Sequence, residues 1–146
     1  MKVFLQRVLS ASVDVEGQRI AEIGRGLLLL CGIGTEDDES KLAPMAKKLV
    51  ELRVFANEEG RFDRSIMDIS GEVLLVPQFT LFASTKKGRR PDFFGAMRPP
   101  QASELFDLFV AEFRALNVSR VEAGSFGADM KVGLVNDGPV SFMVES

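Results

Sequence analysis

Lys2-Val3-Phe4-Leu5-Gln6-Arg7-Val8-Leu9-Ser10-Ala11-Ser12-Val13-Asp14-Val15-Glu16 alternates in polarity, with Arg7 interrupting the apolar face. Val3, Leu5, Leu9, Ala11, Val13 and Val15 share one face at period two, and Gln6, Ser10, Ser12, Asp14 and Glu16 share the other. That period predicts a long half-buried strand. Gly17 supplies a turn, and Gln18–Ile23 reads as a short return strand. Gly24-Arg25-Gly26 breaks it. Leu27–Ile33 is a continuous apolar run of strand length, which predicts a central strand buried on both faces.

Outward from this sheet nucleus, Leu42, Ala46, Leu49 and Arg53 have helical spacing. Pro44 is tolerated only in a first turn, so the regular helix is expected either from about there to Leu52 or with an earlier kink. The acidic stretch Thr35–Ser40 suits the start of that element. Arg53–Phe55 reads as a strand and Asn57–Gly60 as a turn. Glu72–Val76 is a strand that runs into Pro77-Gln78-Phe79-Thr80-Leu81. Pro99-Pro100 opens the clearest helix, with Ala102, Phe106, Phe109, Phe113 and Leu116 as its stripe and Asn117 as its stop. Val118–Glu122, Lys131–Val135 and Val140–Val144 read as closing strands, the last two separated by an Asn136-Asp137-Gly138-Pro139 turn. The expected fold is α+β: one domain over residues 1–146, a mostly antiparallel, barrel-like β-sheet with two main helices.

Composition narrows the chemistry. The chain has 146 residues, 46% hydrophobic and 27% charged, which is ordinary for one globular domain. It has no His and a single Cys, Cys31. Imidazole bases, Ser-His and Cys-His dyads, intrachain disulfides and a zinc ligand set are excluded. No cofactor and no metal site are expected. The net charge of −3 excludes a broadly basic nucleic-acid binder while leaving room for a local patch. No apolar run approaches the ~20 residues of a membrane span, and a cytoplasmic protein without a membrane partner is expected.

Four features stand out. Arg7 interrupts an apolar strand face; either a bulge turns it to solvent or it is buried against acceptors. Lys86-Lys87-Gly88-Arg89-Arg90 puts four cations into five residues of the long irregular segment 84–100; it is either a solvated run or a phosphate site. Thr80 has a hydroxyl but no imidazole to activate it. The bond before Pro139 is a candidate for the cis state.

In this order and at this length, the chain resembles the D-aminoacyl-tRNA deacylase (D-tyrosyl-tRNA deacylase) family. The resemblance is carried by Gln6-Arg7-Val8 with Ala11-Ser12-Val13, and by Gln78-Phe79-Thr80-Leu81, Lys87-Gly88-Arg89-Arg90-Pro91, Phe126-Gly127-Ala128-Asp129-Met130 and Leu134-Val135-Asn136-Asp137-Gly138-Pro139-Val140. It implies a homodimer that hydrolyses the ester of D-aminoacyl-tRNA, accepts glycine and rejects the L form, with no DNA partner. It also implies a catalytic segment of Gln78, Phe79 and Thr80. Gly138 and Pro139, supported by Arg7, would line the partner's pocket with Met130 in the substrate-binding set. Lys86, Lys87, Arg89 and Arg90 would bind tRNA. Pro77 stands where the family commonly has Ser, and Ser141 where it has Thr. Phe79 is similar to the branch that edits D-amino acids, and a Pro77 branch that edits glycine has Ala at that position.

Two other functions compete: a non-catalytic dimeric RNA-binding module, and an esterase for small amino-acid esters. Incubation with D-aminoacyl-tRNA separates the first from the deacylase. With no His and one Cys, deacylation is expected to survive exhaustive EDTA treatment. Loss restored only by one added ion would contradict this.

Overall fold

The computed structural model describes residues 1–146. Eight strands and two helices follow in the order β1 (Lys2–Val15), β2 (Gln18–Ile23), β3 (Gly26–Gly32), α1 (Leu42–Glu51), β4 (Phe55–Ala56), β5 (Phe62–Arg64), β6 (Glu72–Pro77), α2 (Gln101–Ala115), β7 (Arg120–Ala123) and β8 (Met130–Glu145). One six-stranded sheet has the order β2-β1-β3-β6-β7, with β8 on the remaining edge of β1. No helix is long and apolar enough to cross a membrane.

The length of β1 organises the sheet. Its first half pairs with β3, from Lys2 opposite Gly32 to Val8 opposite Gly26. Its second half pairs with β2, from Ala11 opposite Ile23 to Val15 opposite Gln18. The hairpin turn needs positive φ at two successive residues, and Glu16 (51°) and Gly17 (78°) supply it. The sheet curls between the two partners. On one face lies the larger core, where Val3, Leu5, Leu27, Leu29, Val73 and Leu75 meet Phe106, Phe109 and Phe113 of α2 and Leu49 of α1. The other face closes on a smaller core of Val8, Ala11, Val13, Ala21, Ile23, Leu28, Leu74 and Val76.

The sheet is mixed, which corrects the expectation of a mostly antiparallel one. β3 pairs parallel with β6, and β6 pairs parallel with β7. The helices are the crossovers: α1 lies between β3 and β6 in the chain, and α2 between β6 and β7. The Leu27–Ile33 run supplies a central strand covered on both faces, as its unbroken apolar character predicts, and that character does not fix the direction of its neighbours.

Three smaller expectations are also corrected. Leu9 is 53% exposed rather than on the apolar face, because the pairing of β1 with β8 slips between Val8 and Ser10 and reverses the parity of the strand. Arg53 and Val54 lie outside strands; the strand begins at Phe55 and pairs with β5 as a separate ribbon. Asn136–Pro139 does not separate two strands. β8 continues through it along β1, with Gln6 opposite Ser141 and Val8 opposite Asn136. Residues 137–140 therefore bulge out opposite Arg7.

A buried ion cluster ties the chain start to the loop after β3. The Met1 ammonium donates to Asp37 Oδ1 (2.6 Å), Lys41 Nζ donates to the same oxygen (2.9 Å), and the Gly34 N–H donates to Oδ2 (2.6 Å). Burial alone would raise the Asp37 carboxyl, but these donors hold it below the usual aspartate value.

The parallel register is set at Gly26, which faces Glu72. A Cβ on Gly26 would fall 1.8 Å from the Glu72 carbonyl oxygen, whereas one on Gly24 would meet nothing nearer than 3.8 Å. Gly26→Ala is expected to lower stability by about 1–3 kcal/mol or more in urea unfolding, as overpacking does. Gly24→Ala should stay close to wild type. Equal midpoints for the two variants would contradict this account of the register.

Candidate functional site

Three parallel strands finish at the same edge, and the segments leaving them converge there. Such a carboxyl edge is where open α/β sheets form their crevices. After β6, Gln78 turns the chain into a short 3-10 turn, Phe79–Phe82. The Gln78 N–H donates to the Cys31 carbonyl of β3 at 2.7 Å. After β3, Ile33 accepts from the Met97 N–H (2.9 Å), and Gly34 bridges Ala96. After β7, the Gly124 N–H donates to Leu75 (2.8 Å), and Ser125–Ala128 turns over Gly127 at φ 76°. Phe126 holds that turn against Phe106 of α2, with ring centroids 6.4 Å apart.

Between these segments lies a cavity of about 670 Å³. Its wall comprises Val76, Pro77, Gln78 and Phe79, then Phe93, Phe94, Ala96, Met97, Arg98 and Pro99, and then Phe126, Gly127, Ala128, Met130 and Val132. Phe79 and Phe93 meet edge to face at 5.0 Å. The wall holds no carboxylate, and its one charged residue is Arg98. Inside the 3-10 turn the first bond runs from the Leu81 N–H to the Gln78 carbonyl, and the Ala83 N–H donates to Thr80. The N–H groups of Phe79 and Thr80 precede that ladder and are available to an acceptor. The Cys31 thiol lies behind the turn; burial pushes its pKa far up, so it is no nucleophile.

Of the residues singled out in the sequence, Gln78, Phe79 and Met130 line the cavity. Thr80 is the next residue of the same turn, and its hydroxyl accepts a hydrogen bond from the Gln78 side chain. The Ser84 and Asp92 backbones pair at 2.9 and 3.0 Å, which closes residues 85–91 into a finger. Lys86, Lys87, Arg89 and Arg90 are exposed on it, outside the cavity. Sequence reasoning missed Phe93, Phe94, Met97 and Arg98. The adjacent phenylalanines in an otherwise polar, basic segment were the available signal, since Phe94 is 84% exposed.

Arg7, Gly138 and Pro139 form a second locus away from this wall. Arg7 is buried, so the reading that turns it to solvent is set aside. Its Nε donates to the Asp137 carbonyl (2.8 Å) and its Nη1 to the Val54 carbonyl (2.7 Å), with Asp137 Oδ2 3.4 Å from Nε. A Cβ at Gly138, where φ is 144°, would come within 3.2 Å of the guanidinium. Asn136 closes the base of the bulge: its Oδ1 accepts from the Val140 N–H (2.7 Å), and its Nδ2 donates to the Val140 carbonyl (3.2 Å) and to Ser141 Oγ (2.9 Å). The Gly138-Pro139 peptide is cis, and both residues are exposed. Pro99-Pro100 is a second cis pair, which the sequence did not suggest.

The site is a crevice at the carboxyl edge of parallel strands in an α+β protein, walled by phenylalanines, with backbone donors and no internal base. The model of the D-Tyr-tRNA(Tyr) deacylase family matches residues 4–145, and the chain belongs to that family. It is similar to a D-aminoacyl-tRNA deacylase of Roseiflexus sp. (strain RS-1), 51% identical over 100% of this chain and 94% of the relative. A D-aminoacyl-tRNA deacylase of Chlorobaculum parvum is 49% identical over 100% of this chain and 98% of its own. A solved structure described as c-Myc DNA Unwinding Element Binding Protein superposes with TM-score 0.94 at 42% identity, covering 100% of this chain and 99% of the other. One described as a probable eukaryotic D-amino acid tRNA deacylase shares the fold, with TM-score 0.86 at 17% identity over 98% and 97%.

Arg7→Lys is expected to keep the fold while leaving one of the two carbonyls unpaired, because an ammonium lacks the planar fork. A loss of about 1–3 kcal/mol and faster amide exchange at Val140 should follow. Unchanged exchange at Val140 would remove Arg7 as the support of the bulge.

Proposed function

We propose that the protein hydrolyses the ester between a D-amino acid and the terminal adenosine of tRNA, and that glycyl-tRNA is a second substrate. The observation that carries this reading is the cavity wall: apolar, aromatic, and free of any acid or base except one arginine. An aminoacyl ester is already activated, so positioning and oxyanion stabilisation suffice. The N–H groups of Phe79 and Thr80 stabilise the oxyanion as water adds to the carbonyl carbon. The neighbouring ribose 2′-OH relays the proton, the ester C–O bond breaks, and the 3′ oxygen leaves with a proton. Gln78 holds the Thr80 hydroxyl, which orients the ester. Met130 packs against the substrate, and Lys86, Lys87, Arg89 and Arg90 attract the acceptor-end phosphates.

The Asp137–Val140 bulge supports a two-fold homodimer in which each protomer presents Gly138 and Pro139 to the other's pocket. Both residues are exposed, do not line their own cavity, and sit on an edge strand beside exposed Leu134, Val135 and Met143. Backbone carbonyls there would take the substrate amine, so that a D side chain points outward and an L side chain collides. Cytoplasm is the compartment that fits a charged-tRNA substrate. DNA binding is a second reading, drawn from the name of one solved relative. Displacement of labelled tRNA by excess single-stranded DNA would favour it.

The test is turnover of D-tyrosyl-tRNA and L-tyrosyl-tRNA by one preparation, with sedimentation at assay concentration. D turnover by a dimer, with L spared, is expected. Equal rates on both enantiomers, or an active monomer, would refute the gate. Thr80→Ala is expected to lower kcat by about tenfold, the worth of one hydroxyl contact. A loss beyond a thousandfold together with a trapped acyl-enzyme in the wild type would make Thr80 the nucleophile.

A further inference from the structure

Arg98 is the one charged residue in a wall of fifteen, and it enters no ion pair and no side-chain hydrogen bond with the rest of the chain. Arg7, Arg19, Arg53, Arg61 and Arg120 are paired with carboxylates, whereas Arg25, Arg64, Arg89, Arg90 and Arg114 share the unpaired state of Arg98, and of these six only Arg98 lines the cavity. Its backbone is nevertheless fixed. The preceding Met97 N–H donates to Ile33 at 2.9 Å, and the Arg98 carbonyl accepts from the Ala102 N–H of α2 at 3.2 Å. The residue is exposed, so an anchored backbone carries a free guanidinium with five uncommitted donors at the rim of an aromatic cavity.

We propose that Arg98 positions the substrate by binding the 5′-phosphate of the terminal adenosine while the base occupies the aromatic wall. This rests on the deacylase reading and adds the group that sets the register of the nucleotide. The chemistry of the ligand leaves one anion for this cation. In an aminoacyl ester the carboxyl is consumed by the ester bond, and the amine is neutral or positive, so the aminoacyl end of a tyrosyl substrate repels or ignores Arg98. The phosphate is the only formal anion within one nucleoside of the ester. A planar fork matches phosphate oxygens bidentately, which an ammonium does not. Phe79, Phe93 and Phe94 offer flat apolar surface of the kind on which bases stack. The cavity volume lies within the range that holds a nucleoside-sized ligand. The exposed cations of the 85–91 finger stand outside the cavity and serve the phosphates further along the strand.

The test compares two minimal esters, D-tyrosyl-adenosine and its 5′-monophosphate, both esterified at the ribose 2′/3′ position. In the wild type the 5′-phosphate is expected to raise kcat/KM by about tenfold or more, mostly through KM, as a charge-assisted pair does. In Arg98→Gln this advantage should fall toward one, and Arg98→Lys should restore only part of it. The advantage in the wild type should shrink as salt rises. The same phosphate advantage in Arg98→Gln as in the wild type overturns the inference and leaves the deacylase reading intact. So does a variant that loses only its rate on a D-aspartyl ester, because Arg98 would then read an acidic side chain. Absence of wild-type turnover on D-tyrosyl-tRNA removes the deacylase reading, and the inference falls with it.

Discussion

Strands that run the same way must end at the same edge, and this constraint organises the molecule. β3, β6 and β7 are parallel neighbours, so the three segments that follow them emerge side by side. Gln78–Phe82 and the 125–128 turn follow β6 and β7, and the 96–99 stretch, far from both in sequence, docks on the residues that follow β3. They become one wall because backbone bonds pin each of them to this edge: Gln78 to Cys31, Met97 to Ile33 and Gly124 to Leu75. Glycines permit the approach. A Cβ on Gly32 would come within 3.1 Å of the Gln78 carbonyl oxygen, and one on Gly34 within 2.7 Å of the Phe82 ring. The two helices cover the outer face, as their role as crossovers requires.

The opposite edge of β1 solves a different problem. Four residues of β8 bulge out where β1 has only Arg7 between its paired neighbours. A guanidinium fills that gap because it can donate in two directions at once, to Asp137 on the bulge and to Val54 at the exit of α1. The Phe62 ring lies 5.4 Å from the same guanidinium, so the small β4–β5 ribbon is fastened to it as well. Asn136 then does for Val140 what a paired strand residue would do, with one acceptor and one donor. A side chain on β1 and a side chain on β8 together replace the ladder that the bulge interrupts.

Much of this was legible from residue pattern. The β1–β2 hairpin, the doubly buried β3, both helices and the stop at Asn117, whose φ is 58°, follow from period and turn chemistry. Strand direction was not legible, because a five-residue apolar strand reads the same whichever way its neighbour runs. The slip near Leu9 was hidden for a related reason: period two survives a bulge on paper while its parity reverses in the sheet. Gln78, Phe79 and Met130 were found through resemblance. Arg98 was not, since an isolated arginine before two prolines carries no pattern, and its place in the cavity wall comes only from tertiary folding.

The cavity wall also lacks any group that gains or loses a proton in the neutral range. It has no carboxylate, imidazole, thiol or amine. A pocket of this kind has no ionisation of its own to impose on turnover. Its rate as a function of acidity would be a portrait of the ligand and of hydroxide, without the bell shape that an enzymic acid and base produce. Such a catalyst leaves the acidity dependence of the reaction to the ester it receives.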